Sequence, residues 1–244
     1  MLRRRESSGA RDRLAHLCSP VRTREAWAAV SAEWTVFAST ATLLRIASMS
    51  RSSRTLVAAL AVIAIAAATL LAMDRPPICT CGEIALWGPL GPKQSQMLAD
   101  WYSPSHVVHG LIFYGILWLV ARRQPVERRF LVALAVEAAW ELIENTPMVI
   151  DRYRTATAAL GYSGDSMINS LSDVAMMALG FLAARKLPLW ASVTLLIALE
   201  LVPLFVIRDN LFLNVWMLLA PSDAVRAWQS AVGAIGLAIG PALA

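Results

Sequence analysis

From Thr55 to Met73 the chain reads TLVAALAVIAIAAATLLAM, nineteen residues without a single charge. As a helix this run is about 28 Å long, close to the thickness of a bilayer's hydrocarbon core. Such a block fits a transmembrane helix. It is followed by MDRPP, where proline ends the helix because it cannot continue the hydrogen-bond ladder. The rest of the chain repeats the pattern. Ser103–Ala121, Phe130–Asn145, Ser166–Ala184 and Leu189–Ile207 form four more apolar blocks. Leu211–Ala220 and Ala231–Leu243 are weaker, and the second reads either as a sixth span or as an interfacial helix. The expectation is an all-α transmembrane helical bundle of five to six spans, occupying residues 51–244.

Composition agrees with this pattern. The chain is 57% hydrophobic and 16% charged, with a net charge of +5. Its basic residues fall between apolar blocks, so they signal orientation rather than nucleic-acid binding, and no DNA- or RNA-binding motif is present. Arg45, Arg51 and Arg54, then Arg122, Arg123, Arg128 and Arg129, then Arg185 and Lys186 crowd one side. The other side holds Arg75, Lys93, Arg152, Arg154 and Arg208. The positive-inside rule therefore predicts a multi-pass protein with a cytoplasmic N-terminus. Trp87, Trp101, Tyr102, Trp118, Trp190 and Trp216 near the span ends fit an aromatic belt.

Residues 1–50 stand apart. They are rich in Arg, lack Lys and contain only a moderately apolar stretch, Trp27–Leu44. They read as a poorly ordered extension or as the product of an upstream start codon, with Met49 opening the protein proper. A membrane-surface helix is the other reading. Three cysteines are too few for a disulfide scaffold. In Cys79-Thr80-Cys81-Gly82 the two thiols are inert loop residues, a small-ring disulfide or a metal-capturing pair.

The informative residues are ionisable groups inside apolar blocks, which cost about 2.5–3.5 kcal/mol each and tend to face the bundle interior. His106 and His109 are three apart on one helix face. Glu137, Glu141 and Glu144 form a stripe on the next helix, and Asp165, Asn169 and Asp173 form another on the fourth. Glu200 lies midway along the fifth block. Helix rise places His109, Glu141, Asn169 and Asp173 at depths of about 7–13 Å below the outer surface. The stripes are expected to converge on one outward-facing polar cavity.

Three functions follow. In the first, the cavity binds an envelope lipid head group or small polar solute. Arg152 and Arg154 attract an anion, Glu141, His109 and Asp173 orient it, and Asp165, Asn169, Arg208, Asp209 and Asn210 complete the lining. In the second, the protein is a metal-assisted hydrolase. His106, His109, Glu141 and Asp173 would hold a divalent metal such as zinc, manganese or iron. Glu144 would act as base, and Glu141 with His109 would supply acid–base chemistry. In the third, the stripes only join helices by hydrogen bonds, and the protein is a structural partner in a membrane complex.

The strings CTCG, DWYSPSHVVHG, WELIENTP, DRYR, GYSGDSMINSLSDV and IRDNLFLNVWML, in that order, resemble uncharacterised protein family 0314, also called domain of unknown function 2585. The resemblance runs from about Thr55 to Gln229. It implies an integral, multi-pass protein of the bacterial inner membrane that starts near the first span, and no known reaction. A looser likeness to VanZ-like membrane proteins rests on Glu141 or Glu144, Arg152 or Arg154, Asp165 or Asp173, Asn169 and Gly180. It implies architecture and a link to envelope lipids.

Overall fold

The structure, a computed structural model, describes residues 49–159 and 161–239. The expected N-terminal extension therefore lies outside the described residues, apart from Met49 and Ser50. The chain divides into two units, Met1–Arg54 and Thr55–Ala244, and the second carries the architecture below.

The described residues form helices and loops. The helices are α1 (Arg51–Ala72), α2 (Ser103–Val120), α3 (Val126–Glu144), α4 (Pro147–Ala156), α5 (Met167–Lys186), α6 (Leu189–Ile207), α7 (Leu211–Leu219) and α8 (Asp223–Ile239). Four of them, α1, α2, α5 and α6, are long and apolar enough to cross a membrane. α3 has span length, but Glu127, Arg128, Arg129, Glu137, Glu141 and Glu144 lower its hydropathy. α7, at nine residues, reaches only about 14 Å and cannot span. α8 begins at Asp223, well before the apolar stretch that marks it in the sequence.

Local chemistry sets the helix ends. Pro104 opens α2 within its first turn. Ser166 caps α5 by accepting from the Asn169 amide, and Arg185 and Lys186 close it, complementing the helix dipole. Asn210 caps α7 by accepting from the Leu213 amide at 2.9 Å. Glu200 reaches across from α6 and accepts from the Phe212 amide at 3.2 Å. The intramembrane Glu200 thus serves the start of a neighbouring helix. One element departs from the sequence expectation. Thr146–Asp165 reads as a polar loop, yet Thr146 caps a helix there with Pro147 in its first turn. The helix is short and polar, so no apolar period announces it.

The core lies between α3 and α5, where Ala133 and Leu134 meet Val174, Met177 and Phe181, flanked by Phe113, Tyr114 and Leu117 of α2. α2 and α5 make the most extensive helix pair. Their contact is glycine on glycine. A Cβ added to Gly110 would lie 2.1 Å from the Met177 carbonyl oxygen, and one added to Gly180 would lie 2.1 Å from the Val107 carbonyl oxygen. Small residues let membrane helices approach to backbone contact.

Burial is inverted relative to a water-soluble protein. Phe205 is 79% exposed and Leu189 81%, while Glu137 is 0% and Glu141 1% exposed. Apolar groups outside and carboxylates inside suit a chain whose solvent is lipid.

The segment between α1 and α2 has irregular backbone, including a disulfide between Cys79 and Cys81. It is tied to the start of α5. Ser166 donates from its amide to the Ser95 carbonyl (2.9 Å) and from its hydroxyl to the Gln96 carbonyl (3.0 Å). Asn169 Nδ2 donates to the Met97 carbonyl (2.9 Å). These bonds satisfy buried backbone that no helix or sheet serves.

Gly110→Ala places a methyl against backbone that cannot move cheaply, and should destabilise the detergent-purified protein by about 1–3 kcal/mol. Gly115, on the same helix, has open space at its Cβ position. Gly115→Ala should leave the thermal midpoint unchanged or raise it. Equal midpoints for the two variants would remove the close crossing from the account.

Candidate functional site

The crossing of α2 and α5 sets which polar groups face each other. One turn before Gly110 lies His106, and one turn before Met177 lies Asp173. His106 Nε2 sits 3.8 Å from Asp173 Oδ2. On its other side, His106 Nδ1 is 2.7 Å from Glu137 Oε1. His109 Nδ1 lies 3.0 Å from Glu137 Oε2. A single carboxylate of α3 thereby holds both imidazoles by the same ring nitrogen, leaving both Nε2 atoms for other work.

Glu141 lies one turn further along α3. Its Oε1 is 3.4 Å from His106 Nδ1. This oxygen makes no hydrogen bond, and that nitrogen pairs more closely with Glu137. Ser103 Oγ donates to Asp173 Oδ1 (3.1 Å) and accepts from the Asp100 amide (3.0 Å). One ligand atom from each of His106, Glu141 and Asp173 lies within 4.8 Å of the others, and the same holds for His106, His109 and Glu137.

The outer rim is built by tyrosines. Tyr153 donates to Glu144 Oε1 (2.8 Å), Tyr162 to Asp165 Oδ1 (2.9 Å) and Tyr102 to Asp209 Oδ2 (2.8 Å). Burial holds all three phenols well above their ordinary pKa, with the neighbouring carboxylates adding to the shift, so they stay protonated and donate. Asn145 Nδ2 donates to Asp165 Oδ2 at 2.7 Å, and its Oδ1 accepts from the Asp165 amide at 2.8 Å.

Together these groups enclose a cavity of about 270 Å³. His106, His109, Glu137, Glu144, Asp165, Asn169 and Asp173 line its polar side, while Phe113, Val136, Trp140, Leu211 and Val215 line its apolar side. A second cavity of about 480 Å³ adjoins it and shares Gln94, Tyr102, Ala159 and Tyr162. Among the described residues, neither is lined by a lysine or arginine.

The sequence-predicted residues fall into two sets. His106, His109, Glu141, Glu144, Asp165, Asn169 and Asp173 lie in or beside the first cavity. Arg152, Arg154, Arg208 and Asn210 lie elsewhere. Arg152 donates from Nε to the Leu218 carbonyl (2.8 Å), and Arg154 from Nε to the Tyr162 carbonyl (2.5 Å). Arg208 takes a left-handed backbone at the end of α6 (φ 55°) and donates to the Trp228 carbonyl. Asn210 serves as the α7 cap. Asp209 lines the second cavity.

Sequence reasoning gave no site role to Ser103, Asn145, Tyr153 and Tyr162, and placed Tyr102 in the aromatic belt. Asn145 stands beside Glu144, and Tyr153 between Arg152 and Arg154, residues that drew attention for their charge. Hydroxyl donors near intramembrane carboxylates were the available signal.

Comparison with known proteins gives a consistent set of relatives. Residues 70–231 match the family described as protein of unknown function DUF2585. A UPF0314 protein of Agrobacterium fabrum is 50% identical over 188 residues, covering 76% of this chain and 95% of that protein. A UPF0314 protein of Paracoccus denitrificans is 51% identical over 173 residues, covering 70% and 90%. One from Sphingopyxis alaskensis is 49% identical over 174 residues, covering 70% and 93%. No solved structure matches.

Burial pushes the Asp209 carboxyl up to about 6 from an ordinary 3.8, against hydrogen bonds from Tyr102 and the Asn210 amide that lower it. The folded state therefore holds this proton more tightly than the unfolded chain. Stability from this group falls as pH rises from 3.8 to about 6. The thermal midpoint of wild type relative to Asp209→Asn should fall across that window and level off above it. Parallel profiles for the two proteins would contradict the assignment.

Proposed function

The chain belongs to the family of proteins of unknown function DUF2585, and we propose that it is a membrane-embedded, metal-dependent hydrolase acting on the polar head of an amphiphile. The observation that carries this reading is the excess of buried acid over base in the cavity. Glu137, Glu141, Glu144, Asp165 and Asp173 cluster around two imidazoles, and no lysine or arginine joins them among the lining residues. Buried carboxylates require a counter-charge. A cation answers that need, whereas an anionic head group alone would be repelled.

The donor set fits a divalent ion. Imidazole nitrogen with carboxylate oxygens suits zinc, manganese or iron. Metal-binding histidines commonly give their other ring nitrogen to a carboxylate, which fixes the tautomer. Glu137 holds His106 Nδ1 in that manner, so His106 would offer Nε2 on the side of Asp173, with Glu141 as the third member of the ligand set. A bound ion would supply Lewis acidity and lower the pKa of a coordinated water. His109, oriented through Nδ1 by Glu137, would carry the proton on Nε2. Water would add to an ester or phosphoester centre, and the head-group alcohol would leave with a proton.

The two-sided lining supports an amphiphilic substrate. Val136 of α3 is 49% exposed and Val215 of α7 is 41% exposed, yet both line the cavity. α7 packs chiefly on α4. The cavity thus reaches the apolar surface between α3 and α7, where a lipid could present its head while its chains stay in the bilayer.

Purified protein given a total lipid extract of Agrobacterium fabrum should release a water-soluble head group, read by mass spectrometry. Chelator should abolish the release and a divalent ion restore it. His109→Ala should lower the rate by about 10²–10⁴-fold while retaining metal. An unchanged lipid profile with metal-loaded, folded protein would overturn the hydrolase reading.

A further inference from the structure

We propose that the site holds two divalent ions bridged by Glu141, an inference that rests on the metal-centre reading above. The first ion belongs to His106, Glu141 and Asp173. The second belongs to Glu141, Glu144 and Asp165, whose ligand atoms also lie within 4.8 Å of one another. Glu141 is common to both sets.

An independent observation marks Glu141 as the bridge. Its side chain is 1% exposed, and its Oε1 has no hydrogen-bond partner. A lone buried carboxylate oxygen with no donor is costly and calls for one. Neighbouring carboxylates are served: Glu144 accepts from Tyr153, and Asp165 from Tyr162 and Asn145. Carboxylate ligands are usually oriented by such outer hydrogen bonds. Glu141 Oε1 has none and faces the His106 ring at 3.4 Å, which fits a group that ions would hold.

Charge points the same way. The second set brings three carboxylates together, and no lysine or arginine lines the cavity beside them among the described residues. The second set offers only carboxylate oxygens, so it suits a hard ion such as magnesium or manganese. Manganese fits both sets. Paired ions about 3.5–4 Å apart serve hydrolases by holding the attacking and leaving oxygens together.

The test loads tag-free, full-length protein in detergent with Mn²⁺, removes free ion, and measures manganese per chain with the electron paramagnetic resonance spectrum. Wild type should hold two Mn²⁺ per chain and give the spectrum of an exchange-coupled pair. Asp165→Asn and Glu144→Gln should each hold one and give an uncoupled six-line spectrum, with wild-type elution and thermal midpoint showing that they fold. One Mn²⁺ in wild type, unchanged in both variants, would overturn the second ion and leave the single-metal reading intact. Two uncoupled ions would overturn the Glu141 bridge. No Mn²⁺ in folded wild type would overturn this proposal and the metal-centre reading together.

Discussion

Gly110 and Gly180 let α2 and α5 meet backbone to backbone, and the site depends on that contact. A methyl at either position would force the helices apart. Because the crossing sits one turn from His106 and Asp173, separation there would carry directly into the 3.8 Å between them. α3 then packs on α5 through Ala133, Leu134, Val174 and Met177. That packing turns Glu137 and Glu141 inward. Small residues, apolar core and polar cluster are successive layers along the same helices.

The loop between α1 and α2 completes the enclosure. Its backbone is irregular, so it needs partners in a poorly hydrated setting. Ser166 and Asn169, at the start of α5, supply them. The same turn of α5 leads on to Asp173, so the bonds that seat the loop also fix the approach to the cluster. Tyr102, Tyr153 and Tyr162 point hydroxyls at carboxylates around the rim. The lining is acid-rich, with no lysine or arginine among the described residues, and apolar where it meets the exposed faces of α3 and α7. An arrangement of this kind favours a cation within and an amphiphile beside it.

Much of this architecture is legible in the sequence. The charge-free run at Thr55–Met73 and the later apolar blocks give α1, α2, α3, α5, α6 and α7 to within a few residues, while α8 begins well before its apolar stretch. The i, i+4 and i+7 spacing of Glu137, Glu141 and Glu144 gives a stripe directly. Other features escape a linear reading. Helix α4 is short and polar, with its start written only in Thr146-Pro147. Arg152 and Arg154 draw attention by charge, yet they bond to carbonyls of Leu218 and Tyr162 because α4 turns their side chains away from the cavity. Glu137 gives no sequence sign that it would hold both histidines, since that depends on how α2 and α3 rotate against each other. The glycine crossing is equally silent, because a glycine in an apolar helix looks the same whether it faces lipid or a neighbour.

The central claim is that a bound cation neutralises the buried carboxylates. The most direct measurement is the thermal midpoint of detergent-purified protein with and without chelator, for wild type and His106→Ala. An ion that binds only the folded state stabilises it by roughly 4 kcal/mol at a thousandfold excess over its dissociation constant. Chelation should lower the wild-type midpoint by several degrees, with recovery when a divalent ion is restored, and should move His106→Ala less, because that variant keeps only the Glu141, Glu144 and Asp165 set. A wild-type midpoint indifferent to chelator and to added ion would contradict it, and would mean that protons alone keep the cluster neutral.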